Sequence, residues 1–150
     1  LWYPPVLEPR MSAKPTVEEL NAFFVREFPQ ARVRVDELGH CSAKVRHEVG
    51  DGELRPGGTV SGPVMMTTAD VALYAAILGE IGLIALAVTT NLNINFLRKP
   101  VAGRDIIGVC SLLKVGKTLA IGEVSLYSEG SDEPVAHAVG TYAIPPQRLG

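Results

Sequence analysis

The chain of 150 residues predicts a single α+β domain in which an antiparallel sheet wraps around one long central helix. Three observations lead to this fold class. Residues 62–82 form a helix-like segment that is apolar on nearly every side, so other elements must surround it. Four segments with strand-like alternation follow it, and two shorter ones precede it. A curled antiparallel sheet is the most economical way to enclose such a helix.

The elements before the central helix are one amphipathic helix and two short strands. Residues 16–19, Thr-Val-Glu-Glu, match a capping box, and apolar residues follow at helical spacing until Pro29 ends the helix. Two alternating segments, around Val33 and Val45, then predict strands separated by a turn at Gly39.

The central helix follows a loop rich in glycine and proline at residues 50–58. Pro63 suits the first turn of the helix, where a missing N–H costs nothing. We expect Gly79 and Gly82 to end it.

The remainder of the chain predicts four strands. Residues 88–96 alternate most regularly. One face carries Val88, Thr90, Leu92, Ile94 and Phe96, and the other carries Thr89, Asn91, Asn93 and Asn95. Gly116 and Gly130 mark the turns between the later strands. These later strands span about residues 104–114, 118–128 and 134–144.

Composition excludes several classes of protein. The net charge is −2 and no long basic segment is present, which argues against nucleic-acid binding. Cys41 and Cys110 are too few for a disulfide scaffold and lack metal-binding spacing, so we expect buried, reduced thiols in a cytoplasmic protein, with no metal or cofactor. The longest apolar stretch is interrupted by Asp70 and Glu80 and lacks the roughly 20 uninterrupted apolar residues of a membrane span.

The proline-rich start of the chain predicts a division at residue 15. Residues 1–15 are expected to be a flexible leader, with Met11 as a candidate for the true start, and residues 16–146 to form the domain.

Asp70 is the single charged residue between Arg55 and Glu80, inside the apolar helix. Removing an unpaired carboxylate from water is costly, so such a residue has either a partner or a chemical role. Two interpretations stay open at this point. Asp70 acts in acid–base chemistry, or it is capped by threonine or tyrosine hydroxyls or reaches solvent at one edge.

Residues 55–63, together with Asp70, resemble the signature of the hotdog-fold acyl-CoA thioesterases of the phenylacetate-degradation type. The family pattern is Asn-x-x-Gly-x-x-His-Gly-Gly, with an acidic residue nine positions after the histidine. Gly58, Gly62 and Asp70 match it in register, and residues 88–100 and 140–142 resemble later strands of the family.

Three signature positions depart from the family pattern. Arg55 replaces the usual Asn or Gln, Ser61 the usual His, and Pro63 the second Gly. The change at Pro63 is compatible with function, because the donor that the family uses is the backbone N–H of the first glycine, here Gly62. Arg55 either binds a carbonyl or carboxylate of the substrate, or pairs with Asp70 and silences it.

The resemblance implies thioester hydrolysis, with Asp70 as general base or nucleophile, the Gly62 N–H as oxyanion donor and Ser61 beside them. Eight residues separate Gly62 and Asp70, which is about 12 Å along a helix, so one thioester carbonyl cannot contact both within one subunit. We therefore expect a composite site in a homodimer, which agrees with the family's dimeric site; family members often pair dimers into tetramers.

Several further residues are candidates for substrate binding, each with a plainer alternative. Thr67 and its neighbour Thr68 are candidates to hydrogen-bond Asp70 or substrate, or simply to pack the helix. Tyr74 either closes an acyl pocket or is a core aromatic, and Asn91 lines an interface or pocket or belongs to a solvated face. The full set of binding candidates is Arg55, Gly58, Thr67, Tyr74, Asn91, Lys114 and Lys117.

Lys114 and Lys117 lie at a predicted hairpin where the family commonly presents basic residues to coenzyme A, although lysine at a surface turn is ordinary. Arg98 and Lys99 are further candidates for its phosphates. The histidines His40, His47 and His137 form no catalytic or metal pattern and are expected to be structural or exposed.

Two functions compete with a thioesterase. A hotdog hydratase is disfavoured, because that class pairs an acid with a histidine and the central helix contains none. The stronger alternative is a non-catalytic acyl-CoA-binding protein, which the departures at Arg55 and Ser61 motivate. The acyl specificity is not predicted by the sequence.

Overall fold

The computed structural model describes residues 14–146, so all but the last two residues of the predicted leader lie outside the described part. Within it, an antiparallel sheet curves around a long helix, which confirms the predicted α+β architecture. A single 3-10 turn at Asp51–Glu53 precedes a small hairpin that the sequence analysis did not predict. The elements in chain order are α1 (Val17–Glu27), β1 (Val33–Gly39), β2 (Ser42–His47), β3 (Leu54–Arg55), β4 (Thr59–Val60), α2 (Gly62–Ile81), β5 (Val88–Phe96), β6 (Ile106–Val115), β7 (Leu119–Ser128) and β8 (Pro134–Ala143).

The main sheet has six strands in the order β1-β2-β6-β7-β8-β5, and every neighbouring pair is antiparallel. β3 and β4 form a separate two-stranded hairpin immediately before α2. Short hairpins join β6 to β7 and β7 to β8, whereas β5 pairs with β8 at the edge. The edges of the sheet are therefore β1 and β5, and each presents unpaired backbone groups within one subunit.

The helix α2 is the centre of the core. Ten of its residues are buried, including Leu73, Ile77 and Leu78, which have no exposed surface. By length and composition α2 could span a membrane, but more than half of its apolar window is buried inside the fold, as in the core helix of a soluble protein. The expectation that Gly79 ends the helix is wrong: α2 continues to Ile81, and Gly82 is its C-cap.

Two glycines allow α2 to approach the sheet closely. Gly122 of β7 and Gly140 of β8 are register partners, and the Leu73 side chain lies on both of them. A Cβ atom at either position would lie 2.6–2.7 Å from the methyl groups of Leu73, closer than atoms can pack. The glycine pair therefore fixes how deeply this part of α2 sits in the sheet.

The helix α1 covers one end of α2. Its predicted capping box is confirmed, since Thr16 and Glu19 exchange side-chain-to-backbone hydrogen bonds of 2.9 and 3.1 Å. Phe23 and Phe24 are buried against α2, and the Phe24 ring stacks on Tyr74 with ring centres 5.8 Å apart.

The two cysteines differ in environment. Cys110 is fully buried in β6, as expected, and burial raises the pKa of its thiol to about 12. The expectation of burial is wrong for Cys41, which is partly exposed at the β1–β2 turn with a positive φ of 51°. Desolvation and the nearby Glu80 carboxylate nevertheless raise the pKa of the Cys41 thiol. Both thiols are free.

Candidate active site

A cavity of about 390 Å³ opens beside the middle of α2. Its walls are mainly apolar and aromatic, with rings contributed by α1, α2 and β8. Asp70, Thr67 and Thr89 supply its polar side chains, together with the hydroxyls of two tyrosines. The aromatic residues of the wall are Phe24, Phe28, Tyr74 and Tyr142.

The Asp70 carboxylate is half-buried in this cavity and accepts two hydrogen bonds on one oxygen. The Thr89 hydroxyl donates to Oδ1 at 2.7 Å, and the Tyr142 hydroxyl donates to the same atom at 2.9 Å. Oδ2 has no hydrogen-bond partner among residues 14–146. The interpretation of hydroxyl capping is therefore confirmed, and it leaves one carboxylate oxygen available for chemistry.

No cation within residues 14–146 of the same subunit forms an ion pair with Asp70. The possibility that Arg55 silences Asp70 by pairing with it is therefore wrong within one subunit.

A β-bulge directs Thr89 toward Asp70. Simple alternation predicts that Thr89 faces outward with Asn91, but the β5–β8 register shifts between these two residues. The shift leaves Thr90 as the extra residue, so Thr89 pairs with the inward-facing Tyr142 and lies on the helix side of the sheet. The bulge thereby brings two hydroxyls to one carboxylate oxygen.

The two tyrosines of the cavity are buried and stacked, with ring centres 5.6 Å apart. Tyr74 donates to the carbonyl of Ala85 at 3.1 Å, so it is both a core aromatic and part of the cavity wall. Burial raises the pKa of Tyr74 to about 12, with smaller contributions from Glu27 and Asp70. Burial, followed by the Asp70 carboxylate, also raises the pKa of Tyr142 far above its ordinary value. Both hydroxyls therefore remain protonated donors at neutral pH.

The first turn of α2 leaves a backbone donor free. The N-cap, Ser61, is half-buried, and its hydroxyl makes no capping hydrogen bond. Pro63 has no N–H, and no acidic side chain occupies the first turn. The Gly62 N–H therefore keeps its donor capacity at the positive end of the helix dipole.

The β3–β4 hairpin carries Arg55 and Gly58 next to this helix end. Pro56 and Gly57, which has a φ of 94°, form its tip as in a type II turn, and the Gly58 N–H donates to the Arg55 carbonyl at 2.9 Å. The Arg55 side chain is exposed. Neither Arg55 nor Gly58 lines the Asp70 cavity. Both belong to the hairpin that precedes Ser61 and Gly62 in the chain.

The remaining helix and strand candidates divide between the cavity and the surface. Thr67 is exposed and lines the cavity without a hydrogen bond to Asp70. Thr68 is fully buried and donates to the Val64 carbonyl at 2.9 Å, so it does not contact Asp70 as its spacing had suggested. Asn91 is exposed on the outer face of β5 and shares that face with Asn93 and Asn95, as predicted.

Lys114 and Lys117 are exposed at the predicted hairpin between β6 and β7. The start of β7 at Ala120 pairs with Tyr142, which pairs in turn with Thr89. The basic turn therefore lies at the same end of the sheet as the Asp70 cavity. Three strand spacings separate β6 from β5, which corresponds to about 15 Å.

Other candidate clusters lie outside this cavity. His40, Cys41 and Glu80 place potential metal-binding atoms within 4.8 Å of one another. The Glu80 oxygens, however, are already bound by the Lys14 ammonium at 3.0 Å and the Cys41 N–H at 2.8 Å. The Glu80 oxygens therefore already have partners, and the cluster connects the β1–β2 turn to the end of α2.

The prediction that the histidines are structural or exposed is confirmed, since His40 is exposed at the β1–β2 turn and the other two have structural partners. His47 is buried and shares a hydrogen bond of 2.8 Å with Glu53, while His137 shares one of 3.0 Å with Glu123.

Sequence reasoning missed the residues that complete the cavity. Thr89 was assigned to the outer face, because the bulge that turns it inward has no clear signal in the sequence. Tyr142 is separated from Asp70 by 72 residues, so local spacing could not connect them. Phe24 and Phe28 follow the helical pattern of core residues, and the same pattern describes a cavity wall.

Comparisons with known proteins agree with the overall fold. A sequence profile of the thioesterase superfamily matches residues 57–135. A crystal structure of a proposed thioesterase from Silicibacter sp. shares 45% identity and covers 91% of this chain and 96% of its own, with a TM-score of 0.83.

More distant structures share the fold. Zebrafish thioesterase superfamily member 2 is 23% identical, covers 87% of this chain and 99% of its own, and has a TM-score of 0.75. The Escherichia coli PaaI protein of the phenylacetic acid degradation operon is 18% identical, covers 87% and 95%, and has a TM-score of 0.72. A search of curated proteins gave no significant match.

Proposed function

The chain belongs to the thioesterase superfamily and has its hotdog fold, and we propose that it is an acyl-CoA thioesterase acting as a homodimer. Thioester hydrolysis is the activity that the family and the neighbours named thioesterases support. Acyl-CoA as the substrate and the residue roles are the further content of the proposal. The observation that carries it is the Asp70 carboxylate in a mainly apolar cavity, where Oδ1 accepts two hydrogen bonds and Oδ2 has no partner among residues 14–146.

In the proposed reaction, Asp70 Oδ2 acts on the thioester carbonyl through water or by direct attack. As a general base, it takes a proton from water while the water oxygen bonds to the carbonyl carbon. The developing oxyanion accepts a hydrogen bond from the Gly62 N–H at the uncapped start of α2. Collapse of the intermediate breaks the carbon–sulfur bond, and the coenzyme A thiolate leaves and takes up a proton.

Gly62 and Asp70 of one subunit cannot act on the same carbonyl, because they lie about 12 Å apart along α2. The edge strand β5 offers a way to bring two copies together. One end of β5, Thr89, bonds Asp70, and the other end, Phe96, lies against Gly62, where a Cβ atom would be 3.4 Å from its ring.

A two-fold axis between Leu92 and Asn93 would pair β5 with its copy in an antiparallel arrangement. Thr89 would then lie opposite Phe96 of the partner subunit, since these residues are equally far from the axis. This register would bring Asp70 close to the partner's Gly62 and complete two equivalent sites per dimer. Val88 and Phe96 are about half-exposed at the two ends of β5 in one subunit, which fits burial by a second copy.

The cavity supports an apolar acyl group. Four aromatic rings and several small aliphatic side chains form its walls, and α1 supplies Phe24 and Phe28. Lys114 and Lys117, at the same end of the sheet, are proposed to bind phosphate groups of coenzyme A. Their distance of about 15 Å from Thr89 suits the long pantetheine arm that separates those phosphates from the thioester.

A complementation experiment tests the composite site. Asp70→Asn removes the carboxylate, and Gly62→Pro removes the N–H at a helix position where proline is tolerated. We expect each homodimer to be nearly inactive. Random mixing of the two proteins, after dissociation and reassociation, should restore about a quarter of wild-type activity, because each heterodimer regains one intact site of two.

Gly62→Ala is the matched control, since it also adds a Cβ atom before Pro63 but keeps the N–H. The assay is steady-state hydrolysis of short, long and aromatic acyl-CoAs. Restored activity would support both the residue roles and the dimer. If the two inactive variants exchange subunits but the mixture gains no activity, the composite site is contradicted. If the wild type shows no turnover, the non-catalytic acyl-CoA-binding alternative is favoured.

A further inference from the structure

The Tyr142 hydroxyl lies against the Asp70 carboxylate at the wall of the cavity. It donates to Oδ1 at 2.9 Å and lies 3.4 Å from the backbone carbonyl of Asp70. Its ring is 3% exposed and stacks on Tyr74, so both the position and the direction of the hydroxyl are fixed by packing.

We propose, on the basis of the thioesterase function proposed above, that Tyr142 is a positioning residue whose hydroxyl holds the Asp70 carboxylate in an orientation that leaves Oδ2 available to the substrate. Thr89 donates to the same oxygen at 2.7 Å, so Oδ1 is engaged twice and Oδ2 not at all among residues 14–146. Rotation of the carboxylate that exchanged the two oxygens would break both hydrogen bonds. The arrangement thus selects one oxygen for chemistry.

Charge around Asp70 supports a role for hydroxyl donors. Among residues 14–146 of the same subunit, no cation forms an ion pair with Asp70, and the side chains that donate to it are the hydroxyls of Thr89 and Tyr142. The position of the carboxylate therefore depends on these two hydroxyls.

Tyr142 also remains a donor throughout the useful pH range. Burial and the neighbouring carboxylate keep the pKa of Tyr142 far above its ordinary value, so the hydroxyl does not lose its proton while the enzyme works. A histidine or lysine in this place would titrate or add charge, whereas a buried tyrosine provides a constant, neutral donor.

Tyr142→Phe tests this role, because it removes the hydroxyl and retains the stacked ring. We expect kcat to fall by about 10- to 100-fold with KM nearly unchanged, as for other residues that orient a reacting group. Tyr127→Phe is the control, because it also removes a tyrosine hydroxyl but lies outside the cavity, and it should leave both kcat and KM in place.

A second measurement is independent of turnover. Carbon-13 NMR of the Asp70 side-chain carboxyl at neutral pH should show a displaced resonance in Tyr142→Phe, because the carboxylate loses a hydrogen bond, and an unmoved resonance in Tyr127→Phe. A wild type that hydrolyses acyl-CoA, with an unchanged kcat and an unmoved carboxyl resonance in Tyr142→Phe, would overturn this inference alone. A wild type without turnover would overturn the proposed function, while the carboxyl resonance would still decide whether Tyr142 orients Asp70.

Discussion

Two half-buried carboxylates, Asp70 and Glu53, have opposite surroundings. Glu53 uses both oxygens: Oε1 accepts from the Gly50 N–H at 2.8 Å and lies 3.8 Å from the Arg32 guanidinium, and Oε2 is 2.8 Å from His47. Asp70 uses one oxygen, which two neutral hydroxyls occupy, and no cation of the described part of its subunit pairs with it. The fully bonded carboxylate supports the fold, and the half-bonded one is available for a reaction.

The same contrast holds for electrostatics. Burial opposes ionisation of Glu53, but the Gly50 N–H, the His47 side chain and the Arg32 charge outweigh it and lower the pKa of Glu53 overall. Such a group ties the loop before β3 to β2. Asp70 is held by hydroxyls and lacks that charge pairing. Its substitution should therefore affect the stability of the fold less than it affects the activity.

The largest effect expected from this comparison is the loss of activity in Asp70→Asn. Removal of the base or nucleophile should lower kcat/KM by at least about 100-fold. The unfolding midpoint should change little, because the amide oxygen can still accept from Thr89 and Tyr142. Steady-state acyl-CoA hydrolysis and urea unfolding of the same preparations measure both quantities. A variant that keeps its activity would remove Asp70 from the mechanism.

Glu53→Gln should show the opposite pattern. The amide loses the charge that His47 and Arg32 face and breaks a buried hydrogen-bond network, which should lower the free energy of unfolding by about 1–3 kcal/mol. Acyl-CoA hydrolysis by the folded protein should stay at the wild-type level, because Glu53 does not line the Asp70 cavity. Equal unfolding midpoints for Glu53→Gln and the wild type would show that the network is not stabilising.

The pH dependence of stability gives a smaller effect on the same comparison. Because the folded protein holds the pKa of Glu53 below its ordinary value of 4.5, the contribution of Glu53 is fully present above that value. That contribution is lost as the pH falls through the lower pKa of the folded state, because the Glu53 carboxyl of the unfolded chain binds its proton at a higher pH. Glu80 shows a shift in the same direction.

Thermal unfolding between about pH 3 and pH 7 measures this loss. The fall in melting temperature below about pH 4.5 should be shallower in Glu53→Gln than in the wild type, while Glu123→Gln at an exposed strand position serves as a control. Parallel curves for Glu53→Gln and the wild type would contradict the assignment.

The contrast between the two carboxylates was only half visible in the sequence. Asp70 stands out because an apolar helix surrounds it in the chain, and the period of that helix and of the later strands predicted the fold. Glu53 lies in a polar loop where an acidic residue is ordinary. Its partner His47 lies six residues earlier, at the end of β2, but this spacing across a loop matches no pattern that predicts a contact.

The hydroxyls on Asp70 could not be predicted for a related reason. Alternation determines which face a strand residue occupies, and one inserted residue reverses the assignment for everything on its far side. The bulge at Thr90 does this to Thr89. Tyr142 faces inward with ordinary alternation, but only the β5–β8 register brings it next to Thr89 and Asp70.

The smallest expected effect concerns binding rather than chemistry. Replacing Lys114 and Lys117 with glutamine should raise the KM for acyl-CoA several-fold and leave kcat nearly unchanged. The rise corresponds to a loss of about 1 kcal/mol in binding free energy, because exposed lysines contribute modestly to phosphate binding. Lys44→Gln is the matched control, since that lysine lies on β2 and pairs with Glu37. The effect should weaken as salt is raised, because salt screens the attraction between ammonium and phosphate. An unchanged KM at low salt would place the nucleotide elsewhere on the protein, while the division of roles between Asp70 and Glu53 would stand.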